Sequence, residues 1–278
     1  CYYLHGRASK YHQAEGNRKT MMHYIGIDIG STCAKTVVLD PKQEIVLSFV
    51  LPTGWSSVDT AEEIRSRLCG AGYDPADNCC VSTGYGRVAV PYTQKAVTEI
   101  TCHAKGAMLL HGSRDLTVID IGGRDTKIIR VEGGQIKDFI MNDKCSAGTG
   151  RFLEVMANTL GLRPDDMCEL ARQGGGVSIS SLCTVFAESE VISLIGRGEK
   201  KENIAFAVVD SIVKKVASQA KRLEDDSLVC LTGGLCESDY IRTALGRQLR
   251  TEVKAVAQGR YAGAVGAALC AAEVTKKR

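Results

Sequence analysis

Hydrophobic positions recur along this chain in two rhythms. Short runs rich in β-branched residues read as buried strands, and between them lie stretches with the period of amphipathic helices. Residues 24–39 read YIGIDIGSTCAKTVVL and residues 117–131 read TVIDIGGRDTKIIRV. Each is an apolar strand ending in Asp-Ile-Gly, a turn of small residues, a Lys and a returning β-branched strand. Asp28 precedes Lys35 by seven residues and Asp120 precedes Lys127 by seven, so the spacing predicts one hairpin used twice, 92 residues apart. A third strand follows each hairpin, at 44–52 (EIVLSFVLP) and 135–142 (QIKDFIMN). Helices are predicted over 56–72, 96–112, 149–161, 164–173, 184–198, 202–223, 238–249 and 262–274, with strands at 79–86, 227–234 and 252–256. Strands interleaved with helices give an α/β fold, and the repeat implies two similar lobes whose facing ends form a cleft. The expected division is a first lobe over 22–115, a second over 116–260 and a C-terminal helix over 261–278 that returns to the first.

Composition narrows the classes. A chain of 278 residues, 44% hydrophobic and 24% charged, can bury a sizeable core in one or two domains. No run approaches the length of apolar residues that spans a bilayer. The formal charge of +3 is nearly balanced, and its Lys and Arg are dispersed, which disfavours a nucleic-acid partner. Residues 1–21 are polar, start without Met and lack an apolar h-region, so they read as a disordered leader or expression remnant and not as a signal peptide. With no export signal the expected compartment is the reducing cytoplasm, where twelve Cys are no disulfide framework.

An Asp closing a strand before Gly and small hydroxylated residues suits nucleotide phosphates. Backbone N–H groups of such a turn approach the phosphates closely, and the carboxylate holds Mg²⁺ through water. The Walker A pattern is absent, and GTGRFL at 148–153 lacks the third Gly of a dinucleotide fingerprint. Matched turns at Asp28 and Asp120, with a later strand and Gly-Gly turn (LTGG, 231–234), therefore point to one nucleotide gripped twice. Lys35 and Lys127 either neutralise phosphate charge or are solvated strand-end lysines. Cys102 and His103 sit in a helical pattern that suits core packing.

Most Cys have plain explanations. Cys69 and Cys168 fall in helical segments, Cys79, Cys80 and Cys230 on apolar strand runs and Cys270 in an Ala-rich helix, where burial accounts for a thiol. No C-x-x-C spacing occurs. Cys145 (NDKCSAGTGRFL) and Cys183 (SISSLCTVFAESE) differ, because each stands in a small polar loop just before a helix whose positive end favours thiolate. Gly148 and Gly150 read as the tight lead-in that points the first of these helices at such a site. Two thiolates do not complete a cluster that needs four, but a two-fold dimer would supply four. With the two Cys 38 positions apart, spacing alone leaves this open.

The segments IGIDIGST, VIDIGGRD, LTGG and YAGAVGAAL resemble the two phosphate loops, the adenosine loop and the closing helix of the actin, Hsp70 and sugar-kinase superfamily. That resemblance implies two RNase H-like lobes with ATP between them. Asp28 and Asp120 would then organise Mg²⁺ and the attacking water; Gly30, Ser31, Thr32, Gly122 and Gly123 would contact phosphates, and Gly233 and Gly234 would lie along the adenosine. More closely, MNDKCSAGTGRFLEVMANTLG and ISSLCTVFAESEVISLIGRG, together with TGYGR and CHAKGA, resemble the activators of 2-hydroxyacyl-CoA dehydratases, in the BadF/BadG/BcrA/BcrD-type ATPase family. The likeness runs from about Tyr24 to Val274. It implies an ATPase that shares one [4Fe–4S] cluster per homodimer, held by Cys145 and Cys183 of each chain. It also implies a dehydratase or related reductase as electron acceptor and a reduced ferredoxin or flavodoxin as donor. Arg124 stands where members of this family often have Gln; an Arg there would stabilise transition-state charge instead of positioning water, with Asp125 beside it in the same turn. The alternatives are a small-molecule kinase of the same fold and a nucleotide-dependent chaperone or regulator, and both predict that Cys145 and Cys183 are dispensable.

Overall fold

The computed structural model describes residues 22–180, 183–223 and 227–276; the leader expected at 1–21 lies outside them. Both hairpins form. Strands β1 (Tyr24–Ile29), β2 (Cys33–Leu39) and β3 (Ile45–Pro52) make an antiparallel meander, followed by helix α1 (Ser57–Gly70), β4 (Cys79–Thr83) and the short β5 (Lys95–Ala96). Helix α2 (Glu99–His111) leads to a second meander of β6 (Leu116–Ile121), β7 (Thr126–Glu132) and β8 (Gln135–Asn142). Four helices come next: α3 (Gly150–Thr159), α4 (Pro164–Ala171), α5 (Thr184–Gly196) and α6 (Lys201–Ala220). The chain then runs through β9 (Leu228–Gly233), α7 (Asp239–Leu249), β10 (Val253–Lys254) and α8 (Ala262–Lys276).

The two sheets repeat one topology. Their orders are β3-β2-β1-β4-β5 and β8-β7-β6-β9-β10, with the hairpin strands antiparallel and the last two strands added in parallel. The seven-residue spacing has a direct structural meaning: Asp28 lies opposite Lys35, and Asp120 opposite Lys127. Parallel pairing then sets Thr83 beside Asp28 and Thr232 beside Asp120. Each sheet thus carries one cross-strand row of Lys, Asp and Thr whose side chains share a face, because register partners point the same way.

The chain divides into two compact units, one reaching Val97 and resuming at Ala267, the other being Thr98–Gly266. The hydrophobic pattern had set this boundary at 115/116, after α2. The helix instead packs Ala104 and Ala107 into a core with Leu116, Val118, Ile129 and Val131 of β6 and β7, so contact assigns it to the unit that follows it. In the first unit, Ile25, Ile27 and Ile29 of β1 pack with Ile64 and Leu68 of α1. In the second, the other face of the sheet is covered by α3, α4, α6 and α7, with α6 burying Ile204, Val208, Ile212 and Val216 along one side. Burial explains Cys79, Cys80, Cys168, Cys230 and Cys270 as expected, whereas Cys69 is exposed on α1.

Candidate functional site

Each hairpin turn closes in the same way. In the first unit the Gly30 N–H donates to the Cys33 carbonyl at 3.2 Å, and in the second the Gly122 N–H donates to the Asp125 carbonyl at 2.9 Å. Ser31 and Thr32, and Gly123 and Arg124, form the tips, with Thr32 and Arg124 exposed. Among the described residues no hydrogen bond or ion pair ties down the Arg124 guanidinium. A glycine stands at or just past the end of the neighbouring parallel strand in both units. Gly84 (φ +89) and Gly233 (φ +85) hold left-handed backbone directly above the Asp, where a Cβ would stand 2.4 Å from the carbonyl of Ile29 or Ile121. No side chain fits at either position without moving the strand that carries the carboxylate. Gly234, exposed, donates its N–H to the same Ile121 carbonyl at 3.1 Å.

The two rows differ in electrostatics. Asp120 and Lys127 are each 2% exposed. Thr232 Oγ1 donates to Asp120 Oδ1 at 2.8 Å, His103 Nδ1 lies 3.3 Å from the same oxygen, and Lys127 Nζ lies 3.4 Å from Oδ2. Lys127 Nζ also meets Asp125 Oδ1 at 2.8 Å and Glu99 Oε2 at 3.0 Å. Burial by itself would favour the neutral acid, but His103, Lys127 and the Thr232 hydroxyl outweigh it and hold the Asp120 carboxyl well below its usual range. Burial likewise opposes charge on Lys127, and Asp120, Asp125 and Glu99 together hold it protonated, well above the usual lysine range. Lys127 is therefore no solvated strand-end lysine but the cation at the centre of a buried acidic cluster. In the first unit Lys35 Nζ stands 4.0 Å from Asp28, beyond hydrogen-bond range, and among the described residues no hydrogen bond reaches the Asp28 carboxylate.

The segments after each third strand grip the turns. Thr53 Oγ1 donates to the Gly30 carbonyl at 2.7 Å, and the Thr53 N–H to the Thr32 carbonyl at 3.1 Å. In the second unit the corresponding donors are the first N–H groups of α3, from Gly150 to the Gly122 carbonyl at 2.9 Å and from Arg151 to the Gly123 carbonyl at 2.8 Å. Thr126 Oγ1 adds a bond to the Gly148 carbonyl at 2.7 Å. This changes one expectation. The first two N–H groups of α3 are spent on the turn after Asp120 and so are not available to Cys145, which lies five residues upstream of Gly150.

Cys183 keeps the position expected of it, as the exposed N-cap of α5. Cys145 is half-buried in the loop between β8 and α3, and Asn142 Nδ2 donates to its carbonyl at 2.8 Å. The two loops meet: the hydroxyls of Ser146 and Thr184, each next to one of these Cys, lie 2.6 Å apart. Neither Cys is in a disulfide. Among the described residues no group of three or more His, Cys, Asp or Glu side chains is placed to hold a metal ion; the Ser146 and Thr184 contact brings the loops of the two Cys together. The pair, with its adjoining loops, fits half of a four-thiolate set.

His103, Glu99, Thr83, Thr232 and Gly84 were not among the predicted site residues. A signal for three of them was present, because VSTGYG and CLTGGL both end a buried strand in Thr-Gly.

The family model for BadF/BadG/BcrA/BcrD ATPases matches residues 25–271. The chain belongs to this ATPase family. It is 41% identical over 253 residues to the (R)-2-hydroxyglutaryl-CoA dehydratase activating ATPase of Acidaminococcus fermentans, covering 90% of this chain and 97% of that protein. It is also 41% identical over 262 residues to the activator of lactoyl-CoA dehydratase of Anaerotignum propionicum, covering 92% and 100%. Among solved structures, the activator of the 2-hydroxyisocaproyl-CoA dehydratase from Clostridium difficile with bound ADPNP superposes with a TM-score of 0.85 at 36% identity, covering 92% of this chain and 98% of that one. A ROK family glucokinase from Streptomyces griseus, at 16% identity and TM-score 0.60, shares the fold alone, over 90% and 99% of the two chains. The fold is thus the actin-like ATPase and sugar-kinase fold that the resemblance of these segments implied. No helix among the described residues is long and apolar enough to cross a membrane.

Proposed function

We propose that this ATPase is an electron-transfer activator: two copies share one [4Fe–4S] cluster on Cys145 and Cys183 of each, and ATP hydrolysis drives an electron into a 2-hydroxyacyl-CoA dehydratase or related reductase. The observation that carries the reading is the direct connection between the second phosphate loop and the Cys145 segment. Three hydrogen bonds, from Gly150, Arg151 and Thr126, join residues 122–126 to 148–151. Any displacement of Gly122 or Gly123 is thereby passed to the start of α3 and to the loop holding Cys145. That loop in turn touches the N-cap of α5 through Ser146 and Thr184.

The assignment of roles follows from the chemistry of each group. The N–H groups at Ser31, Thr32 and Gly123 would bind phosphate oxygens, with Gly30 and Gly122, whose own N–H groups close the turns, lying against the phosphates and Lys35 adding positive charge beside the first turn. Asp28 and Asp120 would orient the water shell of Mg²⁺, which supplies charge neutralisation on the phosphates. Gly233 and Gly234 would face the adenosine, and the unconstrained Arg124 would reach the terminal phosphate. Lys127 acts on the phosphates only by holding Asp120 and Asp125 in place. The cluster would supply a low-potential one-electron carrier whose potential responds to hydrogen bonding and solvent access, the quantities that a shift of the Cys145 loop alters. Ferredoxin or flavodoxin would be the donor.

A small-molecule kinase of the same fold is the second reading. It does not account for the paired Cys loops and their link to the phosphate turn. The deciding experiment measures the cluster's midpoint potential and the rate of partner reduction with ADP and with a non-hydrolysable ATP analogue. The activator reading expects both to change with the nucleotide, and identical values in the two states would sink it.

A further inference from the structure

The two Lys-Asp-Thr rows occupy the same register positions, yet only one is complete. In the second unit Thr232 Oγ1 donates to Asp120. In the first, Thr83 holds the equivalent place beside Asp28, is 0% exposed, and its Oγ1 has no hydrogen-bond partner among the described residues. Thr36 Oγ1 is also unpartnered, but Thr36 pairs with Ile27 and so points to the opposite face of the sheet. Gly84, next to Thr83, keeps the space over Asp28 clear, since a Cβ there would lie 2.6 Å from Asp28 Oδ1.

A buried hydroxyl left unpaired is a cost that folded proteins rarely carry without a reason. Val would fill the same volume in a buried strand without that cost and with good β propensity. The second unit shows what the hydroxyl at this register position does when engaged: it fixes one carboxylate oxygen, leaving the other to face a cation. We infer that Thr83 is the positioning residue for Asp28. It donates to the Asp28 carboxylate when that carboxylate turns toward the water shell of the nucleotide-bound Mg²⁺, as Thr232 does for Asp120 permanently. This rests on the phosphate-loop reading above and adds to it a division of labour, in which Asp120 is a preset post and Asp28 is set on binding.

The test uses the full chain and four proteins: wild type, Thr83→Val, Thr83→Ser and Thr232→Val. Calorimetry measures binding of a non-hydrolysable ATP analogue with Mg²⁺ and with EDTA, and thermal unfolding is followed without nucleotide. Thr83→Val is expected to weaken Mg²⁺-dependent binding about tenfold to 150-fold, the worth of one hydrogen bond to a charged group. Its unfolding temperature without nucleotide should be unchanged or raised, and Ser should restore the affinity. Thr232→Val should instead lower the unfolding temperature in the absence of nucleotide. A Thr83→Val protein that binds the Mg²⁺ complex as tightly as wild type, or that loses stability without nucleotide while keeping its affinity, overturns the inference. Failure of wild type itself to bind the analogue would overturn the phosphate-loop reading, and the inference with it.

Discussion

Replacing Lys127 by Met tests the buried cluster that holds the turn after Asp120. Met matches the aliphatic stem of Lys, so packing is largely preserved and the change isolates the charge. The ammonium has three carboxylates within 3.4 Å, from Asp125, Glu99 and Asp120. Asp120, at 2% exposure, cannot turn to water for a substitute, whereas Glu99 and Asp125 are partly exposed. Removing one partner of a buried pair costs about 3–5 kcal/mol, mostly as the penalty on the stranded charge. At roughly 2–4 °C per kcal/mol for a unit of this size, the unfolding temperature should drop by about 6–20 °C near neutral pH. The sign of the pH dependence follows from Asp120. Its carboxyl is held below the ordinary 3.8, so its stabilisation is complete above that value and is lost as pH falls below it. Lys127 is held above the ordinary 10.5, so its contribution is complete below that value and is lost only in strong alkali. The gap between wild type and variant should therefore be flat across neutral pH and narrow in acid. Scanning calorimetry at several pH values provides the measurement. A variant within about 2 °C of wild type at pH 7 would refute the claim that Lys127 balances buried carboxylates.

Two further substitutions probe the loops. Gly233→Ala places a Cβ 2.4 Å from the Ile121 carbonyl at a φ of +85°. It should cost about 1–3 kcal/mol of stability and weaken nucleotide affinity, read by unfolding and by calorimetry, because β6 and Asp120 must shift. Thr126→Val removes the 2.7 Å bond to the Gly148 carbonyl and leaves that carbonyl short of a donor. Stability should fall by about 1–3 kcal/mol, and under the proposed activator reading the nucleotide-dependent change in the EPR signal of a cluster on Cys145 and Cys183 should shrink while nucleotide affinity is kept.

The twin hairpins were legible because a strand, a small turn and a strand are local. A seven-residue spacing of Asp and Lys becomes direct opposition in any hairpin with this turn. Helices α1 to α8 were legible from periodicity for the same reason. What escaped was non-local. Thr232 approaches Asp120 from 112 residues away, through parallel pairing whose register no short window reveals. His103 read as a core residue, and it is buried, yet its burial is against Asp120 because α2 lies on the sheet that follows it. The capping of α3 by the Gly122 and Gly123 carbonyls was invisible because backbone acceptors leave no mark on the residue types that carry them. Cys145 and Cys183 stood out by their loops, and the Ser146 and Thr184 contact, which no short window reveals, brings those loops together.

The central claim concerns what the two thiols hold. Anaerobic purification with iron and sulfide counts, on wild type, Cys145→Ala and Cys183→Ala, addresses it most directly. The account predicts about four irons and four sulfides per two chains in wild type, with the cluster lost in either variant. About four irons per single chain, or a full complement retained after either substitution, would contradict it.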